Sequence, residues 1–341
     1  MIKVGIVGAS GYSGVELVKL LLAHPEVEIS FVSGTQRVAG KHIVEIHPSL
    51  RNLIDLTFLL TDVDYIINSD VDCVFLATPN ETSLELVPLL MKNSDKKIID
   101  LSGSFRFNDA SLYPEYYGFE NDNTDILAQA VYGLPEINKA AIREARLLAN
   151  PGCYPTSVIL ALAPLLKAGL IDTSQKIIID SKSGVTGAGR QPTENTHYVE
   201  ANESMKAYKV HGHRHEPEIV QELSIAASVD VKATFTPHLL PVNRGILSTI
   251  YAQIKQDISS DDIQDQLEQF YKVEKFVRVL PSGLLPEIKY VANTNFCDIG
   301  FSVRESDLIL VSCIDNLLKG ASSQAVQNLN LMFGFKENLS L

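Results

Sequence analysis

Cys153 lies in a run of glycine and prolines, directly ahead of an apolar stretch with helical spacing at residues 158–167. A cysteine at the amino end of a helix faces unpaired backbone N–H groups and the positive end of the helix dipole, and both favour the thiolate. The thiolate is the nucleophilic form of cysteine. A cysteine that only fills buried space is the alternative, but it needs no sharp turn before it. We therefore predict that Cys153 is a nucleophile.

The neighbouring residues predict where this helix begins and ends. Pro155 suits the first turn, where its missing N–H costs nothing. The hydroxyls of Thr156 and Ser157 are placed to satisfy free backbone donors. Gly169 is typical of a residue just past a helix end, so we expect the helix to stop there.

Three histidines alternate along the chain from residue 211. If this segment is extended, His211, His213 and His215 share one face and Arg214 lies on the other. Three imidazoles can hold zinc, but histidine also transfers protons near neutral pH. Because a nucleophilic cysteine occurs elsewhere in the chain, we favour acid–base chemistry and predict no metal site. His215, placed just before a helix predicted near Pro217, is the first choice and His213 the second, with His211 structural.

Glycines, hydroxyls and cations share a loop at residues 181–190. Backbone N–H groups of such a loop, which includes Ser183 and Gly184, can cradle an anion. Arg190 in this loop and Arg106 in an earlier turn each carry a guanidinium that fits phosphate or carboxylate. An ordinary surface position is the alternative for each arginine.

A glycine-spaced turn near residue 8 predicts a dinucleotide site. A short apolar strand runs into this turn, and a helix with apolar residues at three- and four-residue spacing follows. The glycines form G-x-x-G-x-x-G, a variant of the dinucleotide fingerprint that permits a tight turn and close approach of a pyrophosphate. The predicted cofactor contacts in this turn are Gly8, Ser10, Gly11, Tyr12, Ser13 and Gly14.

The second strand, residues 27–33, bears on the choice of cofactor. NAD sites usually carry an acidic residue near the end of this strand to hold the ribose 2′-hydroxyl. Here Ser33 ends the strand and Arg37 follows, with no acid between them. A hydroxyl and a guanidinium suit a 2′-phosphate, so we predict NADP(H). A solvated loop with no specific role is the alternative.

The composition is that of an ordinary globular protein. The chain has 341 residues, 45% of them hydrophobic and 21% charged, which leaves room for two domains with full cores. The net charge of −12 argues against nucleic acid as a partner. Four cysteines without C-x-x-C spacing indicate neither a disulfide framework nor a zinc site. Met1 leads directly into a strand and no apolar run approaches the ~20 residues of a membrane span, so we expect no membrane partner and a cytoplasmic protein.

Short apolar strands alternate with helices through residues 1–150. This pattern predicts a Rossmann-type, doubly wound parallel sheet, in which ligands lie at the carboxyl ends of the strands. Thr78 and Pro79 follow one such strand and are predicted to contact the cofactor. From residue 151 to 315 longer β-like stretches indicate an α+β domain with a mixed or antiparallel sheet, which we expect to be the catalytic domain. A helix within 316–341 is expected to return to the first domain.

Together these features predict an α/β protein and one class of reaction. A cysteine thiolate attacks an acyl phosphate, phosphate leaves and a thioester forms. A hydride from NADPH then gives a hemithioacetal that collapses to an aldehyde, with histidine handling the proton. The implied partners are a small acyl-phosphate substrate and inorganic phosphate.

At these motifs the whole chain resembles the N-acetyl-γ-glutamyl-phosphate reductase family of arginine biosynthesis, which is related to aspartate-semialdehyde dehydrogenases. The resemblance implies that Cys153 is the covalent nucleophile, that His215 or His213 is the acid–base group and that Asn316 approaches the nicotinamide. It also implies a homodimer or homotetramer, with residues 151–315 as the oligomerisation domain. The matching segments are residues 8–14, 150–156, 183–190, 213–219 and 315–321.

These motifs complete the set of site candidates. Ser183, Gly184 and Asn316 join the predicted cofactor contacts. The predicted substrate contacts are Arg106, Asn150, Arg190 and His213. One departure stands out: family members commonly read Asp-Leu-Ser-Ala-Asp-Phe-Arg, whereas this chain has Ser104 in place of the second aspartate. The lost acid weakens any role for position 104.

Three other functions would account for part of this sequence. The same mechanism on the one-carbon-longer aminoadipyl phosphate of lysine biosynthesis is closest, because one methylene is worth only ~1–3 kcal/mol of discrimination. A non-catalytic NADP-binding redox sensor and a zinc protein built on the histidines are the others. Neither explains why a helix-capped cysteine, a histidine cluster and an anion-binding loop occur together.

Overall fold

The computed structural model describes residues 1–341 and divides them into two compact units. The first unit comprises Met1–Pro151 and Ala321–Leu341, and the second is the continuous segment Gly152–Gly320. Each unit is built around its own seven-stranded sheet.

The first unit alternates strands and helices, as predicted. Its sheet has the order β3-β2-β1-β4-β5-β7-β6 and every pairing in it is parallel, which confirms the doubly wound architecture. The elements up to residue 149 are β1 (Ile2–Val7), α1 (Tyr12–Leu22), β2 (Val27–Gly34), α2 (Ile43–Ile46), β3 (Leu59–Leu60), α3 (Val63–Asn68), β4 (Cys73–Leu76), α4 (Asn80–Asn93), β5 (Lys97–Asp100), α5 (Tyr113–Tyr117), α6 (Thr124–Leu127), β6 (Val131–Tyr132), α7 (Pro135–Glu144) and β7 (Leu147–Ala149).

Central strands of this sheet are apolar on both faces because helices cover both. Strand β4 is buried at all four positions, and two apolar clusters lie on the two sides of the sheet. The carboxyl ends of β1, β2 and β4 therefore form one edge, where the glycine turn begins.

The second unit carries a mixed sheet, again as predicted. Its order is β12-β13-β14-β11-β8-β10-β9, with parallel pairing between β8 and β10 and between β12 and β13 and antiparallel pairing elsewhere. The elements are α8 (Cys153–Lys167), β8 (Ile177–Gly184), α9 (Tyr198–Ala201), β9 (Lys206–Ala207), α10 (His215–Ala227), β10 (Ala233–Leu240), β11 (Ile246–Gln253), α11 (Ser260–Tyr271), β12 (Val277–Val279), β13 (Cys297–Arg304) and β14 (Asp307–Ile314).

Helix α8 is the centre of this unit, because it packs against β11, β14 and α10 and is buried from Tyr154 to Leu166. Strand β8 alternates buried and more exposed positions, as expected for a sheet with one covered face.

The segment after β14 differs from the single helix predicted there. A π-helical turn, Leu318–Ser322, precedes α12 (Ser323–Met332). Wider π turns often mark functional sites, and this one contains Gly320. Helix α12 belongs to the first unit and packs against α1 and α7.

None of the helices is long and apolar enough to cross a membrane.

Candidate active site

Cys153 is the first residue of α8, as the sequence predicted, and its side chain is half-buried. Gly152 is the N-cap in an extended conformation, and Gly169 follows the helix with a φ of +70°. Thr156 and Ser157 do not cap the helix, which corrects the prediction. Their hydroxyls instead donate to the carbonyls of Gly152 and Tyr154, each over 2.9 Å. The polar groups around the first turn of α8 thus form hydrogen bonds within the helix and with another element.

That element is α10. Glu218 is fully buried, and one of its carboxylate oxygens accepts the backbone N–H of Gly152 over 2.8 Å. Glu218 lies one helical turn beyond His215. One buried carboxylate therefore ties the helix that begins at His215 to the turn that presents Cys153.

The histidine segment is not extended, so the predicted shared face does not form. His211 is exposed, with a φ of +59°, whereas His213 and His215 are buried. His215 is the first residue of α10 rather than the last residue before it. The helix start brings the rings of His213 and His215 to a centroid distance of 4.8 Å.

His213 is held in its neutral form by two features. Its Nδ1 accepts the backbone N–H of His215 over 3.1 Å, so the ring must leave that nitrogen unprotonated. Burial, with the nearby charges of Arg214 and Lys209, lowers the pKa of His213 to about 3. This arrangement leaves His213 a hydrogen-bonding partner and not a proton carrier at neutral pH.

Two tyrosines lie beside these rings. The hydroxyl of Tyr208 donates to that of Tyr154, which donates to the carbonyl of His238 over 3.2 Å. The Tyr154 ring packs edge-on against His213 and His215. Burial raises the pKa of Tyr154 and raises that of Tyr208 to about 12, so both hydroxyls stay protonated.

A cavity of about 350 Å³ joins these groups. It brings together five predicted site residues: Cys153, His213, His215, Ser183 and Gly184. Arg190 is exposed and does not line the cavity. Other lining residues were not predicted, because all of them except Lys209 lie outside any motif recognisable in the sequence. Those missed include Thr193, Asn195, Thr196, Lys206, Tyr208, Lys209 and Leu239.

The segment after β14 approaches Cys153 closely. A Cβ added at Gly320 would lie 2.8 Å from the Cβ of Cys153, so only glycine fits. Asn316 is fixed within the unit, since its amide oxygen accepts the N–H of Gly245 over 2.8 Å and its amide nitrogen donates to Thr186 over 2.9 Å.

The glycine turn of the first unit has the geometry of a nucleotide cradle. Gly8 has a φ of +86°, and a Cβ there would lie 2.3 Å from the carbonyl oxygen of Ala77. A Cβ at Gly14 would lie 2.6 Å from the Cα of Ala9, whereas Gly11 has only one atom within reach, at 3.8 Å. Gly8 and Gly14 therefore permit the turn and the packing of α1, and Gly11, its N-cap, leaves space for a ligand.

The other predicted cofactor residues of this unit lie at the same sheet edge. Ser10, Tyr12 and Ser13 belong to the glycine turn and to the first turn of α1. Ser33 is buried at the end of β2 and Arg37 is exposed beyond it. Pro79 is the N-cap of α4.

Thr78 belongs to a buried hydroxyl chain. It shares a hydrogen bond of 2.8 Å with Ser83, which donates to Asp100 over 2.9 Å. Burial raises the pKa of Asp100. Ser104, the residue that departs from the family pattern, donates to the carbonyl of Asn80 over 2.7 Å.

Arg106 and Asn150 contact each other within the first unit. Arg106 Nε donates to the Asn150 carbonyl over 2.8 Å, and its Nη2 donates to Leu101. The Asn150 side chain donates to the carbonyl of Ala321 over 3.1 Å and accepts from Asn328. Both residues therefore brace the backbone, and their substrate contacts stay a prediction.

Two family models cover most of the chain. The NAD binding domain of semialdehyde dehydrogenases matches residues 3–145, and the semialdehyde dehydrogenase dimerisation domain matches residues 153–316.

Curated relatives match the chain over its full length. It is 50% identical to a protein named N-acetyl-gamma-glutamyl-phosphate reductase from Pelotomaculum thermopropionicum, with coverage of 100% of this chain and 97% of the relative. A protein of the same name from Desulfotalea psychrophila is also 50% identical, with coverage of 100% and 98%.

Solved structures show the same fold at low sequence identity. Aspartate semialdehyde dehydrogenase II from Vibrio cholerae, complexed with ASA, has a TM-score of 0.75 at 19% identity and covers 98% of each chain. Aspartate semialdehyde dehydrogenase with NADP from Candida albicans has a TM-score of 0.72 at 14% identity and covers 99% of each chain.

Proposed function

The chain belongs to the N-acetyl-γ-glutamyl-phosphate reductase family, and on this basis we propose that it reduces N-acetyl-γ-glutamyl phosphate to N-acetylglutamate 5-semialdehyde in arginine biosynthesis. NADPH is the reductant and inorganic phosphate the second product. The observation that carries the proposal is the cavity in which Cys153, at the start of α8, lies with His215, at the start of α10.

Cys153 supplies the nucleophile. Its thiolate attacks the acyl carbon, the C–S bond forms and the C–O bond to phosphate breaks, which leaves a thioester. Backbone N–H groups in the first turn of α8 point toward the developing oxyanion and stabilise it. After reduction, collapse of the hemithioacetal releases the aldehyde and returns the thiolate.

His215 is the acid–base group in this mechanism. It takes the proton of the Cys153 thiol and returns one as the product forms. His213 positions it, because the neutral ring of His213 accepts the N–H of His215 and carries no exchangeable charge near neutral pH.

The first unit fits NADP(H), which supplies the hydride when bound. Gly11 leaves open space at the N-terminus of α1, where backbone donors favour a pyrophosphate. Ser33 and Arg37 offer a hydroxyl and a cation for a 2′-phosphate, with no acid between them. The remaining contacts predicted for the cofactor are Gly8, Ser10, Tyr12, Ser13, Gly14, Thr78, Pro79, Ser183, Gly184 and Asn316.

The second unit mediates oligomerisation in this proposal. Support comes from the match of residues 153–316 to a dimerisation domain. A homodimer or homotetramer is expected, and sedimentation velocity distinguishes these from a monomer. A cytoplasmic location stays a prediction.

The test is phosphate-dependent reduction of NADP⁺ with N-acetylglutamate 5-semialdehyde. We expect turnover by the wild type, none by Cys153→Ser, and a loss of about 10²–10⁴-fold in His215→Ala. A normal rate in Cys153→Ser contradicts the mechanism. Activity only with the aminoadipyl homologue would agree with the mechanism but contradict the proposed substrate. The names of the full-length relatives do not favour that homologue.

A further inference from the structure

The cavity around Cys153 is lined by cations and by no acids. Lys206, Lys209 and Arg214 contribute to its wall, and none of its lining residues is aspartate or glutamate. The protein as a whole carries a net charge of −12. A local positive wall within a negative protein favours an anionic ligand and steers it toward the site.

The cations and the reacting groups lie at different depths. His213 and His215 are each 6% exposed, whereas Lys209 and Arg214, which also line the cavity, are exposed to solvent, and we take their end of the cavity as its mouth. Lys206, the third cation of the wall, is only partly exposed. Lys209 and Arg214 are therefore the cations best placed to meet the end of a substrate that points away from Cys153.

The unusual backbone conformation of Lys209 supports a functional role for this residue. Its φ of +46° lies in the left-handed region, which non-glycine residues adopt infrequently and which often occurs at functional sites. The charges of Lys209 and Arg214 also contribute to the lowered pKa of His213, so both act on the cavity electrostatically.

We propose that Lys209 and Arg214 bind the α-carboxylate of the substrate and so select acyl phosphates that carry a distal carboxylate. This inference rests on the proposed function. In N-acetyl-γ-glutamyl phosphate the phosphate is attached to the carbon that Cys153 attacks, so it leaves from the cavity floor. The carboxylate lies at the other end of the side chain, where an extended substrate places it at the mouth.

Two aldehydes test this assignment in the phosphate-dependent direction. N-acetylglutamate 5-semialdehyde carries the carboxylate, and 4-acetamidobutanal is the same molecule without it. We expect Lys209→Met to reduce the preference for the first aldehyde, measured as the ratio of kcat/KM values, by about fivefold, the effect of one exposed ion pair. Lys209→Arg should restore most of the ratio, and added salt should lower the wild-type ratio.

Lys176→Met is the matched control, because Lys176 is exposed in the same unit and does not line the cavity. It should keep both rates. An unchanged ratio in Lys209→Met overturns the inference, as does an equal loss on both aldehydes with a raised KM for phosphate, which would assign the cation to phosphate. Absence of turnover on either aldehyde by the wild type contradicts the proposed function instead.

Discussion

The backbone N–H of Gly152 donates to the buried carboxylate of Glu218 over 2.8 Å. This bond links the residue before Cys153 to the helix that begins at His215. The proposed nucleophile, Cys153, and the proposed acid–base group, His215, thus lie next to one contact between α8 and α10. The Glu218 carboxylate also occupies one of the backbone donors at the positive end of α8. We therefore expect the formation of the Cys153 thiolate to depend on His215 as well as on the helix dipole.

Removal of the Glu218 carboxylate should misplace Cys153. Glu218→Ala leaves the N–H of Gly152 buried without this acceptor, which costs about 1–3 kcal/mol of unfolding free energy. Glu218→Gln keeps an oxygen acceptor and should lose less. Urea unfolding measures the stability, and the alkylation rate of Cys153 by iodoacetamide measures its presentation. Equal effects of Ala and Gln on both quantities would show that the bond does not matter.

His213 should make stability depend on acid. Its folded pKa of about 3 lies below its usual value of 6.5, so below pH 6.5 the unfolded chain binds a proton that the folded protein does not. The unfolding free energy should fall between these values as pH falls, by up to about 1.4 kcal/mol per pH unit. His213→Asn, which keeps an acceptor, should flatten this dependence in urea titrations. An unchanged slope contradicts the neutral assignment.

Glu222 should change the pH dependence of stability in the opposite direction to His213. Burial is the main cause that raises its pKa from 4.5 to about 7. The folded protein therefore keeps a proton that the unfolded chain releases, and this contribution to stability is lost as pH rises through 7. Glu222→Gln should be more stable than the wild type at pH 8 by about 1–3 kcal/mol and equal to it near pH 4.5. Destabilisation at pH 8 would refute this assignment.

Gly320→Ala should impair catalysis. The new Cβ would lie 2.8 Å from that of Cys153, so one of the two backbones must move. Small displacements of a reacting group strongly reduce the reaction rate, and we expect kcat to fall about tenfold to a hundredfold. Gly212→Ala is the control, because a Cβ there meets no atom within 4 Å. Similar kcat values for the two variants would contradict the close-approach explanation.

Substitutions at two glycines of the turn, one crowded and one open, should separate effects on folding from effects on cofactor binding. Gly14→Ala places a Cβ 2.6 Å from the Cα of Ala9 and should cost about 1–3 kcal/mol of stability. Gly11→Ala meets no atom closer than 3.8 Å and should mainly raise the Kd for NADPH. Thermal unfolding and fluorescence titration with NADPH measure the two effects. The reverse pattern would contradict the assigned cradle.

The fold followed closely from the sequence, since apolar strands that alternate with helices require parallel pairing. The start of α8 near Cys153 was also predicted, from the glycine and prolines around it and the apolar helical spacing that follows. The histidine segment was not: alternation at 211, 213 and 215 resembles a strand, but Pro217 and the acids beside it start a helix two residues earlier than expected. Periodicity cannot locate a helix end to within two residues.

Part of the cavity wall could not be predicted from the sequence. Thr193, Asn195 and Tyr208 lie in an irregular segment without periodic pattern or turn signature, and only tertiary packing brings them beside Cys153. Arg106 has a structural role that the sequence did not indicate. Two nitrogens of its guanidinium donate to backbone carbonyls, and its predicted contact with phosphate or carboxylate stays a prediction.

The division of the chain also sets an order of events during synthesis. The second unit is continuous, so it can fold as soon as Gly320 has emerged from the ribosome. The first unit cannot be finished when residue 151 emerges, because two contacts come from α12. The amide nitrogen of Asn328 donates to the carbonyl of Gly133, and the amide oxygen of Asn330 accepts from Nε2 of His24. The earliest strands to be translated therefore belong to the unit that is completed last.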